Sequence, residues 1–266
     1  MRLRRLCGAV ALAIALGASH AAPPVPSSAA AQTVRVQPSA GPVPANLLRL
    51  SIEFATRIES PVLPRLALVR PDGKPLAQPF LEQELWSPSG RILTVLMHPG
   101  RVKTGLSARE VLGPILVDGD DVTLTLDGQP IQHWRVGPAD TRGPVVSAWR
   151  LSSVRAASRQ ALVVTLDDAI DGREAGYIAI ADPQGRRVHG QALLKDGERT
   201  WTFTPHDPWR AGNYRLIARG TLEDPAGNRL GGHFETPADA PAAAPADAAL
   251  AFTVGSTPSP AGARRP

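Results

Sequence analysis

Five histidines follow the first 21 residues of this 266-residue chain, and histidine is the side chain best suited to move a proton or hold a metal near neutral pH. His98, His133, His189, His206 and His233 each lack a second histidine within four residues, so none has the spacing of a helical metal pair. They read as surface or turn residues; His206-Asp207, beside Trp209, is bracketed by Pro205 and Pro208 as an ordinary turn would be. Asp118, Asp120 and Asp121, then Asp167, Asp168 and Asp171, then Asp224 with Asn228, could offer oxygens to calcium. None follows the loop spacing that gathers six to eight oxygens round one ion, and Asp or Asn at a turn is explained by bonding to its own backbone. H-E-x-x-H, G-x-S-x-G, a Walker loop and a strand-led G-x-G-x-x-G are all missing. The expectation is a protein that is not an enzyme and has neither metal nor cofactor, although two distant carboxylates could still meet in the fold as in glycosidases.

Recognition is the other chemistry to weigh. Residues 98–116 form a stretch too long for a simple hairpin, with Arg101, Lys103 and Arg109 against Glu110. His98, Arg101, Lys103 and Arg109 are therefore the candidate binding loop, since long loops on rigid scaffolds often carry recognition. The alternative is a β-excursion that covers a sheet edge. Among the tryptophans, Trp86 and Trp209 lie beside prolines near strand ends and are candidates for an exposed, sugar-stacking surface, with corner packing as the alternative. Trp201 shares a strand face with Phe203 and belongs to a core.

The elements that position these residues begin after an export signal. Arg2, Arg4 and Arg5 precede an apolar run of 11 residues, 6–16, and Gly17-Ala18-Ser19-His20-Ala21 supplies the small residues of a cleavage site. Residues 1–21 read as a signal peptide; the run is too short to span a bilayer, and no transmembrane segment is expected in the mature chain. Arg4-Arg5 is read as the ordinary positive start of such a signal rather than as a twin-arginine one. Cys7, the single cysteine, leaves with the signal, which removes disulfides, thiol nucleophiles and thiolate metal sites. The net charge of +5 falls to +2 on processing, and no cluster of cations with aromatics marks a nucleic-acid surface. Periplasm or secretion is the expected location.

Residues 22–46, rich in Ala, Pro and Ser, read as a flexible leader. Beyond it, Leu48, Leu50, Ile52 and Phe54 alternate with polar neighbours, as a half-buried strand requires. The same period marks Leu66 and Leu68, residues 91–97, 122–126 and 131–136, then Leu162 to Leu166, residues 177–181, Trp201 with Phe203, and Tyr214 to Ala218. No stretch sustains a 3.6-residue period over three turns. Two copies of one pattern emerge. Phe54 precedes a turn glycine, Gly73, by 19 residues, and Leu166 precedes Gly185 by the same 19. Gly73 to Gly119 is 46 residues while Gly185 to Gly212 is 27, which places an excess in the first copy around residues 98–116. Residues 237–248, nearly all Ala, Pro and Asp, read as a disordered loop before a last strand at 250–254, and 256–266 as a disordered tail.

The segment Tyr214-Arg215-Leu216-Ile217-Ala218, followed by Asp224-Pro225-Ala226-Gly227-Asn228, resembles the end of bacterial Ig-like modules found in tandem in surface-layer and other secreted proteins. Residues 84–106 look like part of uncharacterised exported proteins built from similar modules. The resemblance implies an all-β fold of two tandem Ig-like β-sandwiches, over 47–138 and 144–255, with Phe234 and Phe252 in closing strands. It brings no ligand with it. The expected role is a non-catalytic binding or structural module of the envelope, whose partner is an envelope protein or a glycan. A secreted carbohydrate-active hydrolase or its carbohydrate-binding accessory is the alternative, and a periplasmic assembly factor a third.

Overall fold

Leu50, Ile52 and Phe54 point inward while Arg49 and Glu53 point outward, and this two-residue alternation builds the central strands of the whole chain. The computed structural model describes residues 34–103, 106–230, 232 and 246–255. The first module contains β1 (Val34–Gln37), β2 (Val43–Pro44), β3 (Arg49–Phe54), β4 (Leu66–Val69), β5 (Phe80–Trp86) and β6 (Ile92–Met97). It continues through α1 (Pro99–Val102) and α2 (Ser107–Leu112) to β7 (Asp121–Leu126) and β8 (Gln129–Gly137). One sheet has the order β1-β3-β6-β5 and the other β2-β8-β7-β4. β2 runs parallel to β8; the remaining pairs are antiparallel.

The second module repeats the plan with β9 (Arg150–Leu151), β10 (Leu162–Thr165), β11 (Ile178–Ala181), β12 (Gly190–Lys195), β13 (Thr200–Pro205), β14 (Gly212–Ala218) and β15 (Ala248–Val254). Its sheets run β9-β10-β13-β12 and β11-β14-β15. In chain order these are the first, second, fifth and fourth strands facing the third, sixth and seventh, which is the Ig arrangement. The protein is therefore all-β, two Ig-like sandwiches in tandem. The repeat reaches single hydrogen bonds. Gly73 N–H donates to Arg70 O at 2.9 Å and Gly185 N–H to Asp182 O at 2.8 Å, with φ of 78° and 79°. Only glycine takes that backbone shape without strain, so the equal spacing in the sequence marks the same turn twice.

Each sandwich closes on its own apolar core. Phe54, Leu93, Leu124 and Trp134 are sealed in the first, and Trp201, Leu162, Ile180 and Leu216 in the second. Each such side chain contributes about 2 kcal/mol through the apolar surface it removes from water. The indole N–H groups are satisfied as burial demands: Trp134 donates to Pro38 O at 2.9 Å and Trp201 to Ala175 O at 3.0 Å. Tyr214 Oη donates to Arg210 O at 3.1 Å and accepts from Arg210 N at 3.2 Å, the corner contact common in this fold.

Several sequence expectations need correction. Residues 34–37 and 43–44 are strands rather than flexible leader, because β1 pairs with β3 and buries Val36. The excess in the first module is two short helices, not a β-excursion; with four and six residues they are too short to show a helical period. Ala248 opens β15 instead of ending a disordered loop. The signal peptide 1–21, residues 237–245 of that loop, Phe234, His233 and the tail 256–266 lie outside the described residues. Among the described residues no helix is long and apolar enough to cross a membrane.

Candidate functional site

β3 opens with Arg49, the first outward-facing residue of the strand, and this places its guanidinium against the second module. Its Nε donates to Asp171 at 2.5 Å, its Nη1 to Glu223 at 2.8 Å and its Nη2 to Glu174 at 3.3 Å. Asp171 and Glu174 come from the loop between β10 and β11, and Glu223 from the segment after β14. Arg49 retains only 19% of its side-chain exposure. Burial alone would lower its pKa, but Asp171 and Glu223 outweigh that and raise it, so the cation is permanent. Glu174 is pushed up to about 7, first by burial and then by the neighbouring Asp171 charge.

The joint continues beside this cluster. Asn46 donates to Asp140 O at 2.7 Å and accepts from Asp140 N at 2.9 Å; Asn228 donates to the same carbonyl at 3.1 Å. Leu48 N–H reaches Pro225 O at 2.9 Å, and Ser39 N–H reaches Glu198 at 2.9 Å. The D-x-A-G-N turn is thus both a turn and a docking block. Asp224 accepts from Ala226 N, Asn228 N and Asn228 Nδ2, and Gly227 takes a φ of 84°. Burial raises the Asp224 carboxyl to about 7 despite these donors. Between the modules lies a cleft of about 650 Å³, walled by Leu85, Trp86 and Thr94 on one side and Arg173, Tyr177 and Arg229 on the other.

The residues singled out from sequence fall elsewhere. Arg101 is 4% exposed, and its guanidinium donates to the carbonyls of Ala77, Gln78, Leu112, Gly113 and Pro114. Burial, with Arg70 nearby, lowers its pKa, the cost of holding this loop together from inside. Arg109 turns back to Arg101 O at 2.6 Å and Val102 O at 3.1 Å, and Lys103 is half-buried and likewise engaged. Within the candidate loop 98–116 the expectation is corrected for two side chains: Arg101 and Arg109 fasten the excursion to its own module. His98 lines a separate groove of about 800 Å³ with Pro61, Pro79 and Phe80, and its Nδ1 is buried with no hydrogen-bond partner among the described residues.

Trp209 is also corrected. It is 3% exposed, packed among Phe203, Tyr214 and Phe252 at ring distances of 6.0, 5.4 and 6.2 Å, with Nε1 donating to Gln160 O. The turn that holds it folds inward, so the neighbouring proline marks a corner and not a surface platform. Trp86 is half-buried, donates to Glu84 at 2.7 Å and leans on Phe54, while its edge reaches the cleft. The acidic runs are dispersed to separate tasks. Asp167 accepts from Val145 N and Trp149 Nε1, Asp168 pairs with Arg199, and Asp171 holds Arg49. Among the described residues no three His, Cys, Asp or Glu side chains stand together as a metal site.

No protein-family model matches the chain, and no curated protein matches it in sequence. Among solved structures it is similar to the titin domains z1z2 in complex with telethonin, at 11% identity and a TM-score of 0.24, over 79% of this chain and 88% of that one. It is similar to domains 4–9 of the surface layer protein SbsC, at 11% identity and a TM-score of 0.25, over 85% of this chain and 31% of that one. A biofilm-associated protein domain is similar at 8% identity and a TM-score of 0.25, over 81% of this chain and 28% of that one. Likenesses of this size say nothing about a ligand.

Proposed function

We propose that this chain is a non-catalytic, exported envelope protein in which two Ig-like modules are locked at one angle to present the cleft between them to a partner. The observation that carries this reading is the use made of the three acids at the joint. Asp171 accepts from Arg49 and Arg173 N, Glu174 from Arg49 and Glu223 N, and Glu223 from Arg49 and Arg229. All six carboxylate oxygens have a protein donor, and the three acids share one guanidinium, so their hydrogen bonds are spent on joining the two modules. They fix geometry, and a fixed cleft between domains is where recognition commonly occurs.

A carbohydrate as the ligand is favoured by one detail. Tyr177 and Leu85 are each 37% exposed on opposite walls, an apolar pair amid arginines and carboxylates. Sugar rings present apolar faces and a polar rim, and an exposed aromatic with ion-paired neighbours matches both. The test is a glycan array and an envelope-fragment array probed with the full chain, alongside Tyr177→Ala and Arg173→Ala. Retention on the array, lost in both variants at unchanged melting temperature, is the expected result. Turnover of a glycoside, ester or peptide that disappears in Glu174→Gln would overturn the non-catalytic reading.

A further inference from the structure

The second module carries a different concave site, away from the joint, where cations outnumber acids. The turn that follows β11 contains Asp182, Arg186 and Arg187, and the turn before β14 contains Asp207 and Arg210. Between them lies a cavity of about 510 Å³, with His189 on its wall and Trp209 and Tyr214 forming its apolar base. Three guanidinium-bearing side chains, Arg186, Arg187 and Arg210, therefore share this wall with two carboxylates. One of those two is already consumed, because Asp182 accepts Nε and Nη2 of Arg186 at 3.0 and 2.8 Å, and the amides of Gln184 and Arg186 as well. Among the described residues, Arg187 and Arg210 form no ion pair.

The backbone that bears these arginines is held in place. Arg210 N and O are both bonded to Tyr214 Oη, Trp209 N–H donates to Ser158 O, and His206 N–H donates to His189 O. Arg187 lies in a bridge opposite Ala181. Like charges gathered on a fixed frame repel one another, and an apolar wall beneath them concentrates the field instead of dispersing it. An anion relieves that repulsion. The guanidinium fork matches the paired oxygens of a tetrahedral oxyanion, and the volume suits a small molecule rather than a chain.

We propose that this cavity binds a small ligand bearing a phosphate or sulfate group, with Arg187 and Arg210 as its principal contacts and His189 reinforcing them. The site is independent of the cleft, and its failure would leave the cleft reading untouched. The test is calorimetric titration of the full chain with inorganic pyrophosphate, repeated with vesicles containing phosphatidylglycerol. Saturable binding of pyrophosphate is expected, weakened about tenfold by either Arg187→Ala or Arg210→Ala and unaffected by Arg173→Ala at the cleft. Binding should also weaken as salt rises, since ion contacts carry it. Association with the vesicles, lost in the same two variants, would support the site and place the oxyanion on a lipid headgroup. Arg187 and Arg210 are exposed, so both variants should melt with the wild type. Absence of binding to both probes, or binding that survives the double variant Arg187→Ala/Arg210→Ala, would overturn the proposal.

Discussion

Arg49→Ala removes the one side chain that three acids of the second module share. Asp171, Glu174 and Glu223 keep 7, 9 and 13% of their side-chain exposure, so none can simply turn to water once the guanidinium is gone. Stranding charges in this way costs about 3–5 kcal/mol when a pair is fully buried, and the remaining solvent access of Arg49 points to the lower end, about 3 kcal/mol. The loss depends on pH with a defined sign. Glu174 titrates at about 7 in the folded chain against 4.5 for an ordinary glutamate. Its contribution is therefore fully present below about pH 4.5 and is lost as pH rises through 7. Without Arg49 the penalty for ionising Glu174 grows, so the variant should suffer most near pH 8 and least near pH 5. Urea unfolding of both proteins at the two pH values reads this as a shift in midpoint at constant slope. Adding Glu174→Gln to Arg49→Ala should return part of the stability near pH 8, because one stranded charge disappears. A loss below about 1 kcal/mol near pH 8, or an equal loss at both pH values, would refute the account of the joint.

Three further outcomes follow from the same geometry. Asp224→Asn replaces an acceptor that three N–H donors share, and should cost about 1–2 kcal/mol near pH 5, where the wild-type carboxyl is uncharged, and less near pH 8, measured by urea unfolding. Since the Asp224 carboxyl is raised to about 7, the wild type should lose stability as pH rises through that value, and the variant should lose less of it. Arg101→Met keeps the buried stem but leaves carbonyls of residues 77, 78 and 112–114 without their donor; a loss of about 2–3 kcal/mol is expected, with faster amide exchange confined to the helical excursion. Gly143→Ala places a methyl 1.8 Å from Arg229 O in the connector, a clash that backbone must move to relieve, and should lower stability by about 2 kcal/mol in thermal unfolding.

The two-residue alternation around Ile52, Val164, Trp201 and Leu216 determined by itself that the chain is all-β, because one buried face forces that period on a strand wherever it lies. The repeat was equally legible. Gly73 and Gly185 need a positive φ, and their equal distance from Phe54 and Leu166 fixed two copies of one turn. Edge strands were harder to read. β5 and β12 expose much of both faces, so Glu82, Gln83 and Gln191 interrupt any pattern, and β1 lies in a segment whose composition is that of a linker. The excursion at 98–116 was located by length, yet its arginines were misread, since a cation in a loop looks the same whether it faces a ligand or five carbonyls.

What only the tertiary structure decided is the joint and the pockets. Arg49 stands 122 residues before Asp171 and 174 before Glu223, and no local spacing announces a contact that exists only once two sandwiches dock. Trp209 and Arg210 make the same point at neighbouring positions. One turn sends the indole into the core and leaves the guanidinium on a cavity wall. The proline beside Trp209 left its placement open in the sequence; the direction of the backbone at that corner, held by Tyr214 and Ser158, turned it inward. Periodicity is a property of neighbours along the chain and survives translation into sequence. Charge satisfaction is a property of neighbours in space, and it becomes visible only when the chain has folded.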